Sequence, residues 1–423
     1  MARIFADLSP IRENRDFRRL WMGQSISNIG NQLTVVAISY QTYLITRSTL
    51  MVGLIGLVQL GPSLFGSLFG GSIADAIDRR LVIICAQVAL AMTSTGLFLN
   101  TALGHPTIAA LFVCVAAASG FQAVNNPARG SIIAGIVPKE QLASASALSG
   151  ITQQSGLILG PALAGVLIST VGLKSLYAID AVGFTAVLAA AFTLPRLKPG
   201  EGGTPFGVRS VIEGLRYARS NRFLISLIAL DLSSMIFGMP KAVFPALALR
   251  IYHGGAGDVG LLYAAPGMGA LVGSLFSGWV RHIKFRGRAV VVCMVVWGVA
   301  IALLGFIPIL AVGIGLLAVA GGADMIGTIF RSAIFQTTVP NRLRGRLNGV
   351  FYGSAVSANG LGATEAGVAS VIGGTNFAIW SGGLLSLVGI VLVLWRYPEL
   401  LRSTGHDVME FGEDGTEIAV VDP

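Results

Sequence analysis

Three carboxylates, Asp231, Asp324 and Glu365, stand inside long apolar runs of the chain. An ionisable side chain within a bilayer costs at least about 2.5–3.5 kcal/mol on insertion scales, so one retained there is a functional candidate. A carboxyl group in a low-dielectric cavity can take up a proton and release it when access changes. That is the chemistry a proton-coupled carrier needs. Asp231 is the ninth residue of its run, about 13 Å deep at about 1.5 Å per helical residue. Asp324 stands at a similar depth, and Glu365 in the outer half of its run. These three are the expected proton-coupling residues, Asp231 and Asp324 ahead of Glu365. For the first two a satisfied contact between helices is an equal alternative, and for Glu365 solvation at the outer mouth is another. Asp180, close to the start of its run, is read as structural.

Uncharged polar residues gather in the first apolar run. Gln24, Asn28, Asn31 and Gln32 recur at three- and four-residue steps, which puts most of them on one helical face. A polar stripe on a membrane helix is expected to face a cavity. Gln122 and Asn125 of the fourth run, with Phe237 and Lys241 of the seventh, complete a candidate cavity for a hydrogen-bonding aromatic ligand. Lys241 reads slightly better as snorkelling to the outer surface.

The elements that must hold these residues are membrane helices. Of 423 residues, 54% are apolar and 12% charged, and mean hydropathy is +0.76. A soluble domain carries about 25% charged residues, so an ordinary soluble enzyme is excluded. Apolar spans fall at 20–45, 50–74, 81–103, 107–128, 143–170, 175–195, 223–249, 257–280, 289–307, 309–333, 346–373 and 376–395. Twelve spans of about 20 residues fit the length. The tails and even-numbered turns hold 25 Lys and Arg against three on the other side, Arg47, Lys174 and Arg250. This asymmetry places both termini in the cytoplasm, and it accounts for the net charge of +9 without nucleic acid. The expected organisation is a cytoplasmic tail (1–19), a six-helix bundle (20–195), a linker with an amphipathic helix (196–222), a second six-helix bundle (223–395) and a disordered cytoplasmic tail (396–423). No cleavable leader is read at the charged N-terminus.

The two halves repeat. Gly66-Ser-Leu-Phe-x-Gly71 matches Gly273-Ser-Leu-Phe-x-Gly278 at an offset of 207, while Arg129 matches Arg331 and Ala164-Gly165-Val166 matches Ala366-Gly367-Val368 at 202. Two six-span repeats about a central cytoplasmic loop is the architecture of major facilitator transporters.

Gly71-Ser-Ile-Ala-Asp75-Ala-Ile-Asp78-Arg79-Arg80 resembles the loop 2–3 signature of that superfamily, with Asp78 in place of its usual Gly. Gly156-x-x-x-Gly160-Pro161 resembles its antiporter motif. Asn126-Pro127-Ala128-Arg129, Val137-Pro138, Lys241-x-x-Phe244-Pro245-Ala246 and Gly345-Arg346-x-Asn348-Gly349 are similar to the branch that holds the enterobactin exporter and the macrolide efflux proteins. The resemblance runs from Phe17 to Trp395. It implies an all-α integral membrane protein with twelve helices in two pseudo-symmetric six-helix bundles, the major facilitator fold. It implies gating roles for Gly71, Asp75, Arg79, Arg80, Arg129, Gly160, Pro161 and Arg331. Plain topology charges and simple helix packing are the competing readings for these. Arg129 and Arg331 are expected to pair with Asp75 or to cap the gate. The mid-membrane Arg that the superfamily often places in span 4 is missing here.

The implied function is secondary active export of an amphipathic molecule from the cytoplasmic membrane by proton-coupled alternating access. A siderophore leads as cargo, a macrolide or other drug follows, and a transport-inactive receptor on the same fold comes last. The chain is expected to be a monomer in the bilayer. No enzyme activity, cofactor or metal is expected, and no phosphate-binding loop for ATP occurs.

Overall fold

The computed structural model describes residues 7–194, 212, 215–219, 221–339, 341–401, 409–411 and 417–419; the side chains of 71–76, 281, 341–346, 348, 352 and the two tail segments lie outside the description. The long helices are α1 (Arg15–Thr46), α2 (Thr49–Ala76), α3 (Arg79–Ala102), α4 (Ile108–Ile136), α5 (Leu142–Thr170) and α6 (Leu173–Thr193). After the linker come α7 (Arg222–Phe237), α8 (Ala256–Leu275), α9 (Arg286–Leu304), α10 (Leu310–Thr338) and α11 (Asn341–Arg396). Ten helices among the described residues are long and apolar enough to cross a membrane. α1 falls outside that set because its polar stripe dilutes its apolar character. α11 counts once, although Gly374 breaks it with φ 88°, ψ 175°, a conformation that a residue with Cβ rarely adopts.

Local chemistry sets the boundaries. Asn14 caps α1 by accepting from the Phe17 amide, and Asn221 caps α7 by accepting from Phe223 and Leu224. Asp78 caps α3, accepting from the Arg80 amide at 3.0 Å, so its place in the loop signature has a structural use. Two helices run further than the sequence predicts. α4 continues through Pro127 to Ile136 and α10 to Thr338. Arg129 and Arg331, expected at helix ends, therefore both lie seven residues inside them, about 10 Å from the termini. The seventh span is broken rather than continuous. Gly238 ends α7 and Pro240, which lacks an amide proton, prevents its continuation. A 3-10 turn (Lys241–Val243) and a π-turn (Leu247–Ile251) follow.

The chain forms two compact units. One comprises 1–208 with 244–264, the other 209–243 with 265–423. The C-terminal part of the broken seventh span, from Phe244, thus belongs with the first unit, whereas the sequence expectation kept 223–395 together. In the first unit α1 packs on α5 and α6, α3 on α4 and α6, and α2 on α4. In the second, α9 packs on α10 and α11, and α7 on α11. The predicted repeat has a structural counterpart. A Cβ on Gly66 of α2 would meet the Gly120 carbonyl of α4 at 2.6 Å, and one on Gly273 of α8 would meet the Gly322 carbonyl of α10 at 2.9 Å. These positions correspond through the offsets of 207 and 202.

Most of the linker lies outside the described residues. Its described end buries Ala218, with Tyr217 against the same cluster as Leu224, Ile228, Val339 and Leu347. In the tail, read from sequence as disordered, Met409–Phe411 and Glu417–Ala419 pair as short antiparallel strands. The tail between and around these strands lies outside the described residues.

Candidate transport site

The charged centre of the second unit is built by two helices. α10 carries Asp324, Thr328 and Arg331, spaced by four and three residues, on one face. α7 presents Asp231. The Arg331 Nη1 lies 2.6 Å from Asp231 Oδ1, and Nη2 lies 3.1 Å from Asp324 Oδ1. Nη2 also donates to Thr328 Oγ1 at 2.7 Å, and Nη1 to the Met294 sulfur at 3.5 Å. Side-chain exposure is 13% for Arg331, 16% for Asp231 and 41% for Asp324. One guanidinium thus holds two carboxylates through separate nitrogens, a geometry that its planar fork permits and an ammonium does not. Arginine stays charged, so only the carboxylates can change protonation state.

Two cavities meet at this centre. The larger, about 790 Å³, has Asp231, Asp324, Arg331, Gln336, Phe335 and Phe351 in its wall. The smaller, about 200 Å³, has Asp231 and Asp324 again, with Lys241, Met239, Met294 and Trp297. The two carboxylates therefore belong to both walls. Lys241, for which the sequence reading favours the outer surface, lines the smaller cavity because the helix break turns the chain at Gly238–Pro240. Within that wall the Trp297 Nε1 and the Ser234 Oγ are buried without a partner among the described residues. The Trp297 ring rests on Gly238, where no side chain would fit.

Residues 5–413 match a family of membrane proteins described as transmembrane secretion effectors. The chain belongs to that family. Its class is a multi-pass membrane transporter of a small molecule, not an enzyme. The enterobactin exporter EntS of Citrobacter koseri is 29% identical over 390 residues, 92% of this chain and 93% of that protein. The enterobactin exporter EntS of Shigella flexneri is 27% identical over 389 residues, with the same coverage of each. This agrees with the major facilitator branch named from the motifs. The fold is shared with a POT family transporter solved with 5-aminolevulinic acid (TM-score 0.72, 12% identity, 92% of this chain and 97% of that one). It is also shared with a bacterial homologue of the iron transporter ferroportin in an inward-facing state (TM-score 0.69, 16% identity, 90% and 98%).

Other expected site residues of this secretion effector fall in several places. Phe237, the last residue of α7, is half-buried, and its carbonyl lies against Gly382 of α11. Glu365 of α11 is half-buried and makes no hydrogen bond or ion pair with the described residues. In the first unit, Gln24 Nε2, Gln122 Oε1 and Asn125 Oδ1 are buried without partners among the described residues, a costly state unless something binds there. Asn28, Asn31 and Gln32 are half-buried on the same helix as Gln24. Gly156 packs on Asn28 and Gly160 on Gln32, so the small face of α5 lies along the polar stripe of α1. The Pro161 carbonyl and Gly165 meet Gly260 of α8, and Gly165 also meets the backbone at Ala256 and Gly257.

Among the gating residues, Arg80 Nη2 donates to the Phe192 carbonyl at 2.6 Å, tying α3 to the end of α6. Arg79 keeps a buried Nε without a partner among the described residues. Gly71 and Asp75 lie in the stretch whose side chains are outside the description. Arg129 is half-buried with no ion pair among the described residues. Arg331 pairs with Asp231 and Asp324 within the second unit, and the expected pairing with Asp75 falls on a side chain outside the description. Trp297, Met294, Thr328 and Ser234 were not anticipated. Neutral side chains in apolar runs look like core, and only the charges of Asp231, Asp324, Arg331 and Lys241 marked this region in the sequence.

Proposed function

We propose that this chain is a proton-coupled exporter of a siderophore-type amphipathic molecule in the cytoplasmic membrane. The observation that carries the reading is Arg331 held between Asp231 and Asp324 in the wall of an aromatic-lined cavity. The names of the EntS relatives support the cargo class. The ten long apolar helices, the polar α1 and the division of α11 at Gly374 support a reading of twelve spans. They form two six-helix bundles with both termini cytoplasmic, as the basic-residue asymmetry requires.

The coupling step follows from charge balance. With both acids ionised and Lys241 and Arg331 cationic, the four groups carry no net charge. Cargo and proton compete for the centre: an ionised Asp231 or Asp324 accepts from a hydrogen-bonding cargo, and a protonated one does not. On the outer side a proton replaces the departing cargo, and on the cytoplasmic side arriving cargo expels that proton, so protons move inward as cargo moves outward. Alternating access then needs only that the two charge states favour different conformations. The small-residue contacts of Gly160 and Gly165 are the surfaces on which the helices shift, and Phe335, Phe351 and Trp297 supply faces for an aromatic cargo.

The test uses everted membrane vesicles containing the full chain, energised by a pH gradient and supplied with a catecholate siderophore, a macrolide or a cationic dye. Siderophore accumulation that collapses with a protonophore is expected. Accumulation of macrolide or dye alone would replace the cargo assignment with drug efflux. No concentrative uptake of any of them would leave a receptor-like role.

A further inference from the structure

Away from the Arg331 centre, the first unit buries a second carboxylate. Asp180 of α6 is 1% exposed. Its Oδ2 accepts two hydroxyl hydrogen bonds, from Thr34 of α1 and Ser94 of α3, each at 2.8 Å. Its Oδ1 has no partner among the described residues and lies against Gly30 of α1, where a Cβ would come within 2.9 Å of it. One turn away on α6 and two turns away on α1 and α3, Tyr177 donates to Gln41 Oε1 at 2.6 Å and Gln41 Nε2 donates to Thr101 at 2.9 Å. Asp180 is thus the centre of a polar seam joining α1, α3 and α6.

Among the described residues no cation pairs with Asp180, and Arg250 lies instead over the Tyr43 ring, 5.6 Å from its centre. α1 has no charged residue between Arg19 and Arg47, and its titratable groups there are Tyr40 and Tyr43. Past Arg80, α3 has only Cys85, and α5 has no titratable residue at all. α6 itself adds Tyr177 and the exposed Lys174, and Cys114 of α4 faces Tyr177. An isolated ion in such a place carries a penalty of several kcal/mol. The uneven partnering is informative. A carboxylate shares its charge over both oxygens, whereas a carboxylic acid has one carbonyl-type oxygen with two lone pairs and one hydroxyl. Two donors on Oδ2 and none on Oδ1 is the pattern of the acid.

We propose that Asp180 is a proton-binding site of the first unit, occupied in this conformation, with Thr34 and Ser94 holding its carbonyl oxygen and the proton on Oδ1. The bound proton keeps the α1–α3–α6 seam closed, and its release opens it. A small metal cation fits less well, because both hydroxyls spend their hydrogens on Oδ2 instead of turning lone pairs inward. The site is separate from the Asp231–Arg331–Asp324 centre, so either assignment can fail alone.

The test is infrared difference spectroscopy on the purified full chain in lipid nanodiscs, comparing wild type with Asp180→Asn, alongside thermal unfolding across pH. A protonated-carboxyl carbonyl band in the wild type at neutral pH, lost in Asp180→Asn, is expected. Thr34→Val keeps the acid and removes one donor, so it should shift that band to higher frequency even if Asp180→Asn folds poorly. A proton bound in the native state and lost on unfolding makes stability fall as pH rises. Wild type should therefore lose melting temperature relative to Asp180→Asn between about pH 5 and about pH 8. Loss of only an ionised-carboxylate band in the variant would overturn the proposal. So would a sodium-dependent rise in melting temperature that Asp180→Asn abolishes, which would make the occupant a metal cation.

Discussion

Arg331 reaches Asp231 across two helices, Nη1 to Oδ1 at 2.6 Å, while the same guanidinium holds Asp324 on its own helix. The repeat mate of Arg331 in the first half, Arg129, has no such partner among the described residues. The counterpart of Asp231 in span 1, by the offset of 207 that holds ahead of the third span, is Gln24, which carries no charge. The two halves share a backbone plan, and the charge-pairing chemistry sits in the second.

Removing the cation should expose this asymmetry. Arg331→Met leaves Asp231 buried and uncompensated, a change that costs about 3–5 kcal/mol when a buried pair is broken from one side. Asp231→Asn in the same chain should return most of that loss, and Arg331→Lys, which lacks the fork, should fall between. Thermal unfolding of the four proteins in one detergent checks the order. An Arg331→Met protein as stable as wild type would remove the pair from the stability argument.

The acids should separate by function. Asp231→Asn and Asp324→Asn are both expected to lose accumulation driven by a pH gradient while retaining downhill exchange of cargo. Glu365→Gln should keep gradient-driven accumulation, since Glu365 lacks a partner among the described residues and is not among the residues lining either cavity of this centre. Initial rates in everted vesicles, with and without the gradient, decide this. Normal pumping by both Asp variants would refute coupling at these residues.

Much of the fold is legible before any coordinates are known. Apolar run lengths locate the helices, and the matches at 207 and 202 give the repeat, because both are written in local sequence. The site is legible only as a set of candidates. Asp231 and Asp324 stand out because charge in an apolar run is rare, but the contact of Arg331 with Asp231 joins two helices 100 residues apart, which local patterning does not encode. Asp180 looked structural for the same reason: its meaning lies in Thr34 and Ser94, 146 and 86 residues away.

A buried hydroxyl without a partner gives a prediction of opposite sign for stability and function. Ser234 Oγ is buried and unpartnered among the described residues, in the wall of the smaller cavity. An unsatisfied buried polar group costs about 1–3 kcal/mol, so Ser234→Ala should hold or raise the melting temperature. If the hydroxyl serves the cargo, the same variant should raise KM for transport several-fold. A fall in stability with transport unchanged would show that the hydroxyl is already satisfied and has no contact with cargo.

The glycine contacts make a graded test of the repeat. Gly66→Ala puts a methyl group 2.6 Å from the Gly120 carbonyl and 2.8 Å from Ala123 Cβ, whereas at Gly273 the first obstacle is 2.9 Å away. Such overpacking costs about 1–3 kcal/mol, and the tighter site should pay more. Gly130 of α4 has nothing within 4 Å of its Cβ position, and replacing a helical glycine by alanine at an open site gains about 0.5–1 kcal/mol. The expected order of melting temperatures is Gly66→Ala lowest, then Gly273→Ala, then wild type, with Gly130→Ala at or above wild type. Equal values for Gly66→Ala and Gly130→Ala would mean that α2 and α4 can part without cost at their crossing.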